Sequence, residues 1–168
     1  MDIIRNRRSI RKYTNQAVSK ETLHDLLEAG MCAPSAGNER PWHFIVVEER
    51  AQLEEIMKVH QYSRMLSEAR LAIVVCADLA TDKYPGNNFW IQDCSAATEN
   101  ILLAAQEKGL GTCWLGVYPV QVRVDGLKKI LNLPENVVPV SAIAVGYPAE
   151  SKKPMDRYDE SRVHRDRW

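Results

Sequence analysis

No run of apolar residues in this 168-residue chain approaches the ~20 that a membrane helix requires, and residues 1–5 carry nothing like the apolar core of a secretory signal. A membrane-spanning role is set aside, and a cytoplasmic protein is expected. Net charge is missing as well: lysine plus arginine and aspartate plus glutamate stand at 22 each, so no overall field steers the chain toward nucleic acid or an anionic membrane. Any recognition of anions must come from local clusters. Cysteine is sparse and unpaired. Cys32, Cys76, Cys94 and Cys113 form no Cys-x-x-Cys unit and have no histidine at zinc-ligand spacing, which argues against a metal centre. Cys76 and Cys113 sit in apolar surroundings and read as small core fillers, while Cys32 has no base within sequence reach and is not expected to be a nucleophile.

Two further absences narrow the chemistry. The glycine-rich stretch 109–116 does not spell Gly-x-Gly-x-x-Gly, and it follows a helical pattern and opens a strand. A dinucleotide fingerprint needs the reverse order, strand then glycine turn then helix, so a dedicated nicotinamide dinucleotide fold is not expected. No Ser-His-Asp set, paired carboxylates or metal triad stands out. His43, beside Trp42, reads as structural, and His24, His60 and His164 have no evident role, so no acid–base side chain is expected to be essential.

The apolar periodicity is informative. Ser19 is placed as the cap of a helix over 20–31, with Leu23, Leu26, Leu27 and Met31 on one face. Residues 43–48 read as a strand, Leu53, Ile56 and Met57 as the buried face of a short helix, and 71–77 as a strand buried on both sides. The longest helix is expected over 88–108, stopped by Gly109. Its Gln92, Asp93, Ser95, Glu99, Asn100, Gln106 and Glu107 form a polar stripe. The apolar remainder is wide enough for a central core helix, a subunit interface or both. Strands at 112–117 and 138–146 and a helix at 126–131 follow, while Val120, Val122 and Val124 alternate like a strand where a helix is equally open. Strands and helices without regular βαβ repetition indicate an α+β fold, a central sheet with helices on both faces. A single domain over 1–168 is expected, with 147–168 as a C-terminal extension too charged to bury itself.

Arginine clustering supplies the functional signal. Arg7, Arg8 and Arg11 surround Ser9 and Ile10, and guanidiniums so close together call for an anion whose geometry they match, phosphate above all. If this segment is helical, Arg7 and Arg11 share a face. The loop Pro34-Ser35-Ala36-Gly37-Asn38-Glu39-Arg40-Pro41-Trp42 adds fixed backbone directions and short hydrogen-bonding groups. Together they suit a phosphorylated, planar cofactor.

These two motifs, with Gly109-Leu110-Gly111-Thr112-Cys113-Trp114-Leu115-Gly116-Val117 and Ala144-Val145-Gly146-Tyr147-Pro148 followed by Lys152, Lys153, Pro154 and Arg157, resemble in order and spacing the nitroreductase family of flavin-dependent oxidoreductases. The resemblance implies a nitroreductase-like fold with a mixed or antiparallel central sheet, a homodimer, and a C-terminal arm reaching the partner subunit. It also implies bound FMN reduced by NADH or NADPH, with a nitroaromatic, quinone or similar acceptor served by a ping-pong sequence. It places Arg7, Arg157 and Lys153 at the phosphate, and Arg8, Ser9 and Arg11 along the ribityl chain and pyrimidine edge. Pro34, Ser35 and Asn38 would reach across the dimer. Trp114 and the backbone of Leu115 and Gly116 would lie near flavin N5, and Arg64, with Gln61 beside it, in the pyrimidine-binding loop. The chain departs from the family at Met155, where a second lysine is common. Two rivals remain open: another flavin reaction on the same fold, such as dehydrogenation or dehalogenation, and non-enzymatic FMN binding.

Overall fold

A computed structural model describes residues 2–168. Five α-helices and four strands alternate irregularly along them: α1 (Asp2–Asn6), α2 (Lys20–Met31), β1 (Trp42–Val47), α3 (Arg50–Val59), β2 (Leu71–Asp78), α4 (Phe89–Glu107), β3 (Gly111–Gly116), α5 (Gln121–Ile130) and β4 (Val137–Gly146). Helix α2 begins where its cap predicts, with the Ser19 hydroxyl accepting from the Thr22 N–H at 3.0 Å. Helix α4 ends at Glu107 and is followed by Gly109 at φ 72°, a left-handed turn that glycine adopts without strain.

The strands form one sheet in the order β1-β2-β4-β3, antiparallel at every pairing. Strand β2 explains the layering. Its Ala72, Val74 and Cys76 face α3 and α5, packing with Leu53, Ile56, Val124 and Leu127. Its Leu71, Ile73, Val75 and Ala77 face α2 and α4, packing with Leu26, Cys94, Ala97 and Ile101. Because both faces are covered, the strand reads as an unbroken apolar run. Fully burying side chains such as Leu26 and Ile101 contributes about 1.5–3 kcal/mol each. Strand β4 carries a bulge opposite Val75 and Cys76, so Val140 joins the layer of Ile143 and Val145 against simple alternation.

Two open readings are settled and one expectation changes. Residues 7–11 are not helical: the Ile10 N–H donates to the Thr112 carbonyl at 2.8 Å, and Ser9 bridges Thr112 in parallel along the outer edge of β3. Arg7 and Arg11 therefore share no helical face. The sheet edge offered the backbone a partner that a short helix could not match. The Val120–Val124 alternation is resolved as helix. Val120 and Val122 are exposed, and Val124 pairs with Leu127 one turn on to make the face that meets α3. Within the polar stripe of α4, Asp93 and Asn100 turn inward, accepting from Ala36 N–H and donating to the Ala29 carbonyl at 3.0 Å each.

After β4 the chain returns along the N-terminal segment. Thr14 N–H donates to the Tyr147 carbonyl and Ala149 N–H to the Lys12 carbonyl, each at 2.9 Å, and Tyr13 bridges Pro148 antiparallel. Residues 151–168 are exposed throughout.

Candidate active site

The exposed end of β3 is the floor of a cleft of about 790 Å³. Cys113, Trp114, Leu115 and Gly116 form this floor. One wall comes from the strapped termini, with Arg11, Lys12, Glu150 and Lys152, and the other from residues 60–68 and Arg123 at the start of α5. The volume is of the size that holds a cofactor or substrate. Strand β3 is an edge strand. The Thr112 carbonyl is used outside the sheet by Ile10, while Val117 N–H turns inward to the Val140 carbonyl. By the two-residue alternation of an antiparallel pair, the peptide groups of Trp114 and Gly116 face the cleft edge. A side chain at Gly116 would have open space around it, so this glycine leaves its backbone accessible from the cleft.

The strapped wall is held by charge-assisted contacts. Arg11 N–H donates to Glu150 Oε1 at 2.6 Å, Lys152 Nζ lies 3.3 Å from the same carboxylate oxygen, and Lys152 Nζ donates to the Ser9 carbonyl at 2.6 Å. The Arg11 N–H, then Lys152, hold the Glu150 carboxyl below its ordinary range. Cys113 is buried, and burial pushes its thiol up despite Arg11 and Lys152 nearby. On the opposite wall Tyr62 and Arg64 are exposed, and Met65 and Leu66 fix the loop by entering the core.

The residues expected from the sequence fall into three places. Arg11, Gln61, Arg64, Trp114, Leu115 and Gly116 line this cleft together. Arg7, Arg8 and Arg157 line a second cleft of about 720 Å³ with Ile4, Met155 and Tyr158. Within it Arg7 pairs with Glu99 at 3.3 Å, and one Arg8 nitrogen, Nη2, is buried without a partner. Ser9 lies between the two on the strap. Lys153 meets Arg8 only through its carbonyl, which accepts from Nε at 3.2 Å, whereas its neighbour Lys152 lines the first cleft. Pro34, Ser35 and Asn38 line neither. Their loop is held on α4 by Asp93 and closed by Ser35 Oγ, which accepts from Arg40 N–H at 3.0 Å.

His60, Tyr62, Arg123, Lys152 and Glu150 line the cleft without having been singled out from the sequence. Lys152 stood within a quoted motif, but nothing local says which of two adjacent lysines faces inward. His60 and Arg123 carry no local signal, since both act on Gly116, distant in sequence.

Known proteins share the fold that carries this arrangement. The family model described as the nitroreductase family matches residues 4–70 and 57–147. A protein from Methanothermobacter thermautotrophicus, named as a candidate NADH dehydrogenase/NAD(P)H nitroreductase, is 49% identical over 168 residues, covering 100% of this chain and 87% of its own length. The crystal structure of a candidate NADH oxidase from Clostridium acetobutylicum matches at TM-score 0.95 and 45% identity, over 99% of this chain and 100% of that one. A candidate nitroreductase from Desulfovibrio desulfuricans, solved in complex with FMN, matches at TM-score 0.84 and 30% identity, over 99% and 96%. The antiparallel sheet layered by helices is thus a shared fold, and the chain belongs to the nitroreductase family.

Proposed function

We propose that this protein is an FMN-dependent oxidoreductase that takes reducing equivalents from NADH or NADPH and passes them to a nitroaromatic, quinone or similar acceptor. It works as a cytoplasmic homodimer of single-domain subunits by a ping-pong sequence. The observation that carries the reading is Gly116: an exposed backbone position with open space above it, at the floor of a cleft flanked by Arg11, Arg64, Arg123 and Lys152.

The residues present fit a phosphorylated flavin. Planar rings need a flat approach, which the end of β3 gives, and a developing negative charge on the pyrimidine side needs a nearby cation, which Arg11 and Arg64 offer. The second cleft supplies Arg7 and Arg157 for a phosphate, and the unpartnered nitrogen of Arg8 is a donor already desolvated and awaiting an acceptor. Pro34, Ser35 and Asn38, outside both clefts, reach a cofactor from the second subunit. FMN, when bound, supplies the atom that accepts and returns the hydride. The protein's share is to bind, orient and neutralise. Reductant and acceptor use the same open cleft in turn, which leads to ping-pong kinetics.

The purified protein is expected to show the visible absorption of an oxidised flavin, to release FMN on denaturation, and to bleach on anaerobic addition of NADH or NADPH. Initial rates at varied acceptor should give parallel double-reciprocal lines. A colourless protein that takes up no added FMN overturns the reading.

A further inference from the structure

We infer that His60 and Arg123 are positioning residues: a two-point clamp on the Gly116 carbonyl that fixes the end of β3 at the floor of the cleft, where the reading above places the flavin.

The clamp arises from helix packing. Gly126 of α5 lies so close to α3 that an added Cβ would stand 2.8 Å from Val59 Cβ. That approach brings together the residues flanking the contact. His60 follows Val59 at the end of α3, and Arg123 lies one turn before Gly126 on α5. Both then reach one oxygen. His60 Nε2 is 2.9 Å from the Gly116 carbonyl and Arg123 Nη1 is 2.8 Å from it, so both lone pairs of that oxygen are engaged.

Tyr62 locks the pair. Its ring meets the His60 ring edge-on at 6.4 Å and 76°, and the Arg123 guanidinium lies 5.6 Å from its centroid. Turning His60 away is costly for a second reason, because its backbone is also tied. His60 N–H donates to the Ile56 carbonyl at 3.0 Å, and the His60 carbonyl accepts from Ser63 Oγ at 2.6 Å.

The contact assigns the tautomer. A carbonyl can only accept, so Nε2 carries the proton, and Nδ1, buried with no partner, is a bare lone pair. Burial of the ring, followed by the neighbouring Arg123 charge, lowers the His60 pKa and keeps the ring neutral. A neutral donor fixed against a backbone oxygen has no proton to give to substrate. It serves geometry, and hydride transfer depends steeply on sub-ångström placement.

Two measurements decide the matter. Nitrogen-15 NMR of the protein at neutral pH, with no FMN added, should show His60 in the Nε2–H form with a slowly exchanging ring proton. In the flavin-loaded protein, His60→Phe removes the donor and keeps a ring, and should slow stopped-flow flavin reduction by NADH about tenfold, while FMN affinity falls less than about threefold. His60→Gln, whose amide can donate to the same carbonyl, should recover most of that loss. A ring protonated at Nδ1, a His60→Phe protein reducing flavin at the wild-type rate, or a Gln variant as slow as the Phe variant each overturns the clamp. If wild-type protein takes up no FMN, the functional reading falls while the tautomer measurement still decides the clamp.

Discussion

Asp93 shows how much one buried atom can govern. Its residue is 5% exposed, Oδ1 accepts from Ala36 N–H, and Oδ2 is buried without a partner. Burial raises its pKa, with Glu39 adding in the same direction against the Ala36 contact. Between the ordinary aspartate value and the raised one, the folded chain holds more protons than the unfolded chain, so this group's contribution to stability falls as pH rises through that window. Asp93→Asn, which keeps an acceptor and loses the charge, should remove this pH dependence and leave stability at neutral pH equal or higher. Asp93→Ala, which abandons the loop, should cost about 1–2 kcal/mol. Urea titrations across pH separate the two. The thiols give a second residue-scale expectation. Cys32 is exposed, whereas burial pushes Cys76 up to about 12 and raises Cys94 and Cys113 as well. Alkylation of native protein at mildly alkaline pH, followed by intact mass, should add one label. Rapid labelling of a second thiol would contradict this packing.

Among the elements, two glycines at helix contacts differ in what they tolerate. A Cβ at Gly30 would lie 3.0 Å from the tips of Ile101 and Phe44, side chains able to shift. At Gly126 it would strike the branched Cβ of Val59 at 2.8 Å, with backbone directly behind. Thermal unfolding should find Gly30→Ala near neutral and Gly126→Ala destabilised by about 1–3 kcal/mol. Most elements were legible because their apolar period is dictated by one covered face (α2, α3) or two (β2). The segment 7–11 and the valines of α5 were not, because each is settled by a distant partner, Thr112 in one case and the α3 surface in the other. The site divides the same way. Arg11 stands out by arginine clustering, and Arg64 and the 114–116 stretch by their likeness to the family's motifs, whereas His60 and Arg123 acquire meaning only once Gly116 is placed between them.

On the scale of the whole molecule, residues 151–168 lie exposed, with Tyr158 at 72% and Trp168 at 101%. Side chains of that size left in water suit an arm that a second subunit covers. Deleting 159–168 spares every residue lining either cleft, so under the proposed dimer it should yield a monomer and weaken FMN binding through loss of the 34–38 loop proposed to come from the second subunit. Light scattering with flavin titration reads both outcomes, and an unchanged dimer with unchanged affinity would remove the arm from the assembly. The strap that joins residues 8–14 to 147–153 bears on the order of synthesis. All four strands precede residue 147, so a nascent chain can close its sheet while one cleft still lacks Lys152 and the other Arg157. If these clefts hold the cofactor as proposed, its capture waits for the strap to be translated, and a product cut short between 147 and 157 should fold its sheet yet fail to retain FMN.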